Sequence, residues 1–510
     1  VALPDGISDT AKTQGRGQGI GLRARRGSAS LGAGMDTGLD LLLRGGTVVT
    51  GAGARAADVG VRGGRIAAVG PGLGGPAARV VEAAGRLVLP GGVDPHAHLA
   101  QRSGAGLMNA DSFETAHRAA LIGGTTTVIS FAAQPPGVSP AEAVADYAAA
   151  ARAGAMADHA FHLIVADPTH LARELPALAA AGHRSLKLFT TYPAVRLDDR
   201  QVLEVLALAR QHGCLACIHA ETDAILGFTA TRLLARGLDR PPFHAVSHPR
   251  LAEIDAVERM IRFAEFTGAR IMLFHLSTAE AVAAVARAKA AGLPVHAETC
   301  PHYLLMGPEV LDGPEGGKWM CSPPQRGEDD RAALWQGLAD GTIDLVSSDH
   351  APYRWDATGK LAHGPDAPFD RIANGMPGLE PRMALMWDAC TRRGLPPELF
   401  VRLTAEAPAR VHGLPSKGRI EVGADADLLV WNPAARRVWG TDDLHDNAGY
   451  NPWAGRETEG APEVVILRGA AVVEGGRCLA RPGTGRFLPR PPFPQGTAAA
   501  EARIAMGEPG

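Results

Sequence analysis

The sequence predicts an α/β protein: a (β/α)8 TIM-like barrel with a second, smaller β-sandwich domain built from both chain ends. Three observations predict it. Eight short apolar runs recur through the middle of the chain: GGVDP, TTTVISF, HAFHLIVAD, SLKLF, CLACIHA, RIMLFHLS, PVHAET and IDLVSSD. Ala-rich helical stretches such as PAEAVADYAAAARAGA and STAEAVAAVARAKAAG separate them, and eight such alternations are the number that closes a parallel barrel. Strand-like text with glycine turns flanks this block. It reads LLLRGGTVVTG, DVGVRGGRIAAVG and RVVEAAGRLVLPG before it, and GRIEVGADADLLVWNP, RRVWG and EVVILRGAAVVEGGRCLA after residue 415, which predicts one sandwich assembled from both sides.

The predicted boundaries are a disordered N-terminal extension over 1–36, sandwich over 37–90, barrel over 91–412, sandwich again over 413–485 and a tail over 486–510. Residues 1–36 are rich in Gly, Ser and Arg with no apolar period, and their glycines would break a targeting or RNA-binding helix. The tail, FLPRPPFPQGTAAAEARIAMGEPG, is rich in Pro and Gly and is expected to lie over a surface or a neighbouring subunit. HAET occurs at 219–222 and again at 296–299, too short a match to count as a repeat.

At 510 residues, with 46% hydrophobic and 21% charged residues, the chain can bury a large core, which excludes a small binding module and wholesale disorder. Lys and Arg number 51 against 54 Asp and Glu, a net charge of -3, so no global field attracts nucleic acid or an anionic membrane. Six cysteines are too sparse for a disulfide scaffold, and no apolar run of about 18 residues occurs;. The expected setting is soluble, reducing and cytoplasmic.

Chemistry-bearing side chains fall at the ends of the apolar runs. His96 and His98 close the first, Lys187 lies in the fourth, and His219, His275 and Asp349 end the fifth, sixth and eighth. The strand ends of a barrel open on one face, so six residues distant in sequence converge there. His is a usual ligand for Zn²⁺ and similar ions, and Asp adds an anionic oxygen. An isolated His-x-His pair is weak; convergence carries the inference.

Lys187 stands inside SLKLF in a chain with only six lysines. A buried ammonium is costly, so this lysine either reaches solvent or is chemically altered. A neutral amine can add CO₂ to give a carbamate whose two oxygens bridge two cations.

Together DPHAHL, SLKLF followed by TTY, IHAE, FHLS, ETCPHYL, CSPPQR, SSDHAP, NGMPGLEPRM and GADADLLVW resemble the cyclic amidohydrolases, most closely the dihydropyrimidinase/hydantoinase family, over about residues 39–486. The resemblance implies two divalent metal ions per subunit, zinc being usual. His96, His98 and Asp349 would hold one, His219 and His275 the other, and carboxylated Lys187 would bridge them. It further implies hydrolytic ring opening of a cyclic amide or ureide, a dihydropyrimidine or 5-substituted hydantoin, to the N-carbamoyl amino acid. A water shared by two cations has its pKa lowered toward ~7, and Asp349 would take its proton and pass it to the ring nitrogen. Tyr192 would donate to the oxyanion, and main-chain groups at Ser322 and Asn374 would pair with the ureide. Leu99 and Phe189 are expected to shape the pocket for the exocyclic substituent. A homo-oligomer, tetramer or dimer, is also implied.

Other cyclic amidohydrolases stay in view. A dihydroorotase usually carries HxHxR, whereas Leu99, Ala100 and Gln101 follow His98 here; allantoinases lack a tyrosine at the Tyr192 place; a cyclic imidase is a further alternative. A non-catalytic scaffold relative would have lost ligands that this chain keeps. Cys214 and Cys217 have redox or zinc spacing but no second pair, so core packing is expected for them. His296, His302 and His350 stand near strand ends and are expected to support the ligands rather than bind metal.

Overall fold

The computed structural model describes residues 38–103, 106–135 and 137–507; the extension expected over 1–36 lies outside them. Seven strands come first: β1 (Leu39–Arg44), β2 (Thr47–Thr50), β3 (Gly53–Ala56), β4 (Asp58–Arg62), β5 (Arg65–Gly70), β6 (Ala77–Glu82) and β7 (Leu87–Pro90). Eight parallel strands follow in spatial order of sequence: β8 (Gly92–Ala97), β9 (Thr125–Ala133), β10 (Asp158–Ile164), β11 (Ser185–Phe189), β12 (Leu215–His219), β13 (Ile271–Leu273), β14 (Val295–Thr299) and β15 (Leu345–Val346). A parallel bridge between Ala97 and His350, just beyond β15, joins the two edges. The sheet closes, and each of the eight apolar runs supplies one strand.

These strands are buried on both faces, inside by barrel side chains and outside by helices, which is why they read as continuous apolar runs rather than alternating ones. The helices start on recognisable signals. Ser139 caps helix 140–154, its side chain accepting from the Glu142 amide while Glu142 reaches back and Pro140 takes the first turn;.

After the barrel come β16 (Leu428–Val438), β17 (Glu457–Leu467), β18 (Ala470–Glu474) and β19 (Arg477–Cys478). The sandwich pairs a sheet ordered β5-β4-β1-β6 with one ordered β19-β18-β17-β16-β7-β2-β3. The two sides of the chain meet where β7 runs antiparallel to β16, Val88 opposite Val430. Period-two alternation splits this larger sheet. Val48, Val88, Leu428, Val430 and Ile466 face the sandwich core, while Val49, Leu89, Leu429, Trp431 and Val465 join the apolar layer of the barrel. Both faces are therefore buried, each large side chain contributing roughly 1.5–3 kcal/mol.

Lys417 locks the two parts together. Its ammonium lies 2.6 Å from Asp158 at the start of β10, 3.1 Å from Asp425 and 2.8 Å from Asp427, and it is 2% exposed. Lys417→Met removes the central cation from this cluster and leaves buried Asp427 without an ion pair and buried Asp158 with Arg468 alone, so it should destabilise the fold by about 3–5 kcal/mol, read as a lowered denaturant midpoint. A midpoint equal to wild type contradicts this.

The tail crosses the opposite end of the barrel from the strand C-termini. Its backbone amides at Leu488, Arg490, Phe493 and Gly496 donate to the carbonyls of His159, Gly182, Gly213 and Gly268. Gly182 and Gly268 have φ of +92° and +69°, and a Cβ at Gly268 would stand 2.6 Å from the Ala498 nitrogen, so close passage of the tail requires glycine there. Of the two expected placements for the tail, a surface of its own chain is the one observed.

Candidate metal centre and active site

The strand ends bring the predicted ligands together. His96 lies in β8 and His98 one residue past it; Lys187 is central in β11; His219 ends β12; His275 and Asp349 follow β13 and β15. Asp349 Oδ1 stands 3.0 Å from His96 Nε2 and 3.6 Å from His98 Nε2, and the ligand atoms of these three residues lie within 4.8 Å of one another. On the other side, His219 Nδ1 and His275 Nε2 face each other at 2.9 Å. The His96 and His275 rings, with centroids 5.5 Å apart, connect the two groups.

The backbone is strained where it aims these side chains. Of five non-glycine residues with positive φ among the described residues, three are His275, Asp349 and Tyr192, at 41°, 45° and 71°. Such conformations cost of order 1–3 kcal/mol each and persist only where surrounding packing fixes them.

Buried acceptors orient the imidazoles. His96 Nδ1 is hydrogen-bonded to Glu298, and His98 Nδ1 to Gln101 Oε1 at 2.7 Å. His219 Nε2 meets Glu221 at 2.9 Å, and Glu221 also accepts from His248 at 2.9 Å. These contacts turn the other nitrogen of each ring, Nε2 of His96 and His98 and Nδ1 of His219, toward the centre, where each would ligate a cation that displaces any proton on it.

The electrostatics favour a cation. Against the cost of burial, Asp349 and Glu298 hold the His96 imidazole up at about 9, so the spot between these carboxylates attracts positive charge. Burial pushes His98 down to about 3 and His275 well below the ordinary histidine value, leaving both neutral and able to donate lone pairs. Burial pulls Asp349 upward, but the charge and hydrogen bond of His96 win and keep it well below the usual carboxylate range. This donor set fits divalent cations.

Lys187 is 1% exposed. Its Nζ sits over the rings of Phe274, Phe189 and Phe131 at 4.2, 4.7 and 5.5 Å, with no carboxylate inside ion-pair distance among the described residues. Burial lowers it to about 8, more than Asp349 restores. An amine so placed is available in its neutral, nucleophilic form.

Tyr192 stands beside His219, ring centroids 5.1 Å apart; burial, then the charge of Glu221, keeps its phenol protonated. The Ser322 and Asn374 segments are neighbours. The Gly375 amide donates to the Met320 carbonyl at 2.9 Å, and buried Lys360 donates to Gly317 and Ala373 carbonyls at 2.9 Å each. Asn374 Oδ1 is buried without a partner.

Two substituent-pocket residues separate. Phe189 belongs to the apolar cluster inside the barrel with Tyr192 packed against it. Leu99 is fully buried in a larger apolar cluster that includes strand and helix residues of the barrel. Cys214 and Cys217 are buried, and burial raises both thiols, which suits packing. His296 pairs with Asp344 at 3.1 Å, and His350 with Asp111 at 2.9 Å.

Sequence reasoning missed Glu221, Glu298 and Gln101. A signal for the first two existed: they are the glutamates of the two HAET copies, one accepting from the ligand two residues before it, the other from His96 across the barrel.

A closed (β/α)8 sheet whose strand ends gather four histidines, an aspartate and a buried lysine defines a metal-dependent barrel hydrolase. Residues 87–472 match the model of the Amidohydrolase family, and the chain belongs to that family. It is 37% identical over 462 residues to a D-hydantoinase of Ralstonia pickettii, covering 90% of this chain and 100% of the relative. A D-hydantoinase of Streptomyces coelicolor is 39% identical over 460 residues, 88% of this chain and 97% of the relative. The crystal structure of dihydropyrimidinase from Brevibacillus agri superposes with a TM-score of 0.86 at 35% identity, covering 89% of this chain and 99% of that one. No helix among the described residues is long and apolar enough to cross a membrane.

Proposed function

We propose that this cyclic amidohydrolase hydrolyses the ring C–N bond of a dihydropyrimidine or 5-substituted hydantoin to give the N-carbamoyl amino acid. The observation that carries this reading is the meeting of six donors at one barrel mouth, Asp349 Oδ1 3.0 Å from His96 Nε2 and the His219–His275 pair opposite. His96, His98 and Asp349 would hold one divalent ion and His219 and His275 a second, zinc suiting the nitrogen-rich donors, with a CO₂-derived carbamate on Lys187 between them. Bound there, the pair of ions supplies Lewis acidity toward a ring carbonyl and toward water.

The protein's own groups do the rest. Asp349, kept ionised, takes the proton of the attacking water on its carboxylate and returns it to the departing ring nitrogen. Tyr192 holds its phenolic proton toward the developing oxyanion. Main-chain groups at Ser322 and Asn374, on segments tied together through Lys360, pair with the ureide edge and orient the ring. Phe189 faces the exocyclic substituent.

Removing metal with a chelator should abolish ring opening of dihydrouracil and a 5-substituted hydantoin, and adding zinc back should restore it. Allantoin, dihydroorotate and a cyclic imide in the same panel separate the other amidohydrolases. Hydrolysis of none of these by metal-loaded protein would overturn the reading. Tyr192→Phe should lower kcat by about 10²–10³-fold while leaving metal content unchanged, because the lost bond belongs to the transition state. An unchanged kcat with ring opening rate-limiting removes Tyr192 from the mechanism.

Exposed Phe228, Val246 and Leu251, on three consecutive helices, support assembly as a homo-oligomer, tetramer or dimer, testable by light scattering. Six free cysteines suit a reducing, cytoplasmic setting.

A further inference from the structure

Each of three ligand imidazoles has its own acceptor residue, Glu221 being shared with His248, and one acceptor differs in kind. His96 and His219 are held by carboxylates, Glu298 and Glu221, but His98 is held by a neutral amide, Gln101. We propose that Gln101 is a positioning residue for the metal centre, its side-chain carbonyl fixing the proton of His98 on Nδ1 so that Nε2 is free and aimed at the position shared with Asp349.

A neutral imidazole carries one N–H, and if Nε2 is to ligate, that proton must sit on Nδ1 and find an acceptor. Gln101 Oε1, 2.7 Å away, is that acceptor, while Nε2 points toward Asp349 Oδ1 at 3.6 Å.

The loop is built to hold this contact. Ala100 turns the chain back with φ +50°, and its carbonyl accepts from Tyr147 Oη at 3.3 Å. Asn109 then clips the turn. Its side-chain amide donates to the His98 carbonyl, its Oδ1 accepts from the Gln101 amide at 3.0 Å, and its own amide donates to the Gln101 carbonyl at 2.9 Å. Gln101 is thus fixed at both its main-chain groups, and only its side chain is spent on His98. A neutral acceptor polarises its imidazole less than a carboxylate does, so His98 is a weaker donor than the carboxylate-held His96 beside it.

This inference rests on the metal-centre reading, and the test separates the two. Metal-free wild type, Gln101→Met and Gln101→Glu are titrated with Co²⁺ in bicarbonate buffer, reading affinity by chelator competition and geometry by the visible absorption of bound Co²⁺. Gln101→Met should weaken one site by about 10–100-fold, the usual cost of losing such a partner, and change its spectrum, while Gln101→Glu restores wild-type affinity or exceeds it. Gln101→Ala replaces Gln101→Met if the latter does not fold, judged by the melting temperature of the metal-free protein. Unaltered affinity and spectrum on losing the acceptor, or equal weakening by Gln101→Glu, overturns the proposal. Failure of wild type to bind Co²⁺ overturns the metal-centre reading itself and this inference with it.

Discussion

Replacing Lys187 by alanine is expected to remove most bound metal and to lower ring-opening activity by more than about 10³-fold, the scale of several kcal/mol of lost Lewis-acid stabilisation. The amine lies under three phenylalanine rings with no carboxylate within ion-pair distance among the described residues, and burial brings it down to about 8. An uncharged amine is the form that adds CO₂, and here it predominates above that pH in the metal-free protein. Reassembly with zinc and bicarbonate should therefore be fast above pH 8 and slow progressively below it. Short carboxylic acids should partly rescue the alanine variant by standing in for the carbamate oxygens. Elemental analysis is the direct check: two metals retained per chain in Lys187→Ala contradicts the bridge.

Asp349→Asn should cost kcat at least as much as a lost general acid–base group, up to about 10⁴-fold, because one carboxylate serves both as ligand and as proton carrier. The substitution changes both of those roles while sparing the fold. Asn is nearly the same shape, and at φ 45° it is among the few residues that accept a left-handed backbone, so the fold should survive. Circular dichroism should match wild type while turnover of dihydrouracil collapses. Turnover close to wild type would remove Asp349 from proton transfer.

The barrel was legible because its strands are buried on both faces and appear as uninterrupted apolar runs, and the ligands because each stands where such a run stops. The closure through Ala97 and His350 and the course of the tail were not legible, since both depend on backbone hydrogen bonds that no side-chain pattern encodes. The setting of Leu99 was likewise not legible: adjacency to His98 in sequence does not fix which face of the turn a residue takes, and the positive φ at Ala100 rotates the chain there. Glu298 reaches His96 from β14, across the barrel interior, a relation invisible until the sheet is closed. The same holds for Lys417, whose three carboxylates come from both parts of the fold.

The most direct measurement is a titration of metal-free protein with Zn²⁺ in bicarbonate buffer, following dihydrouracil hydrolysis at each addition. The account predicts that activity climbs from none and levels off at two ions per chain, with ¹³C-labelled bicarbonate giving a carbamate resonance that Lys187→Ala lacks. Full activity in the metal-free protein, or saturation with no carbamate signal, would contradict it.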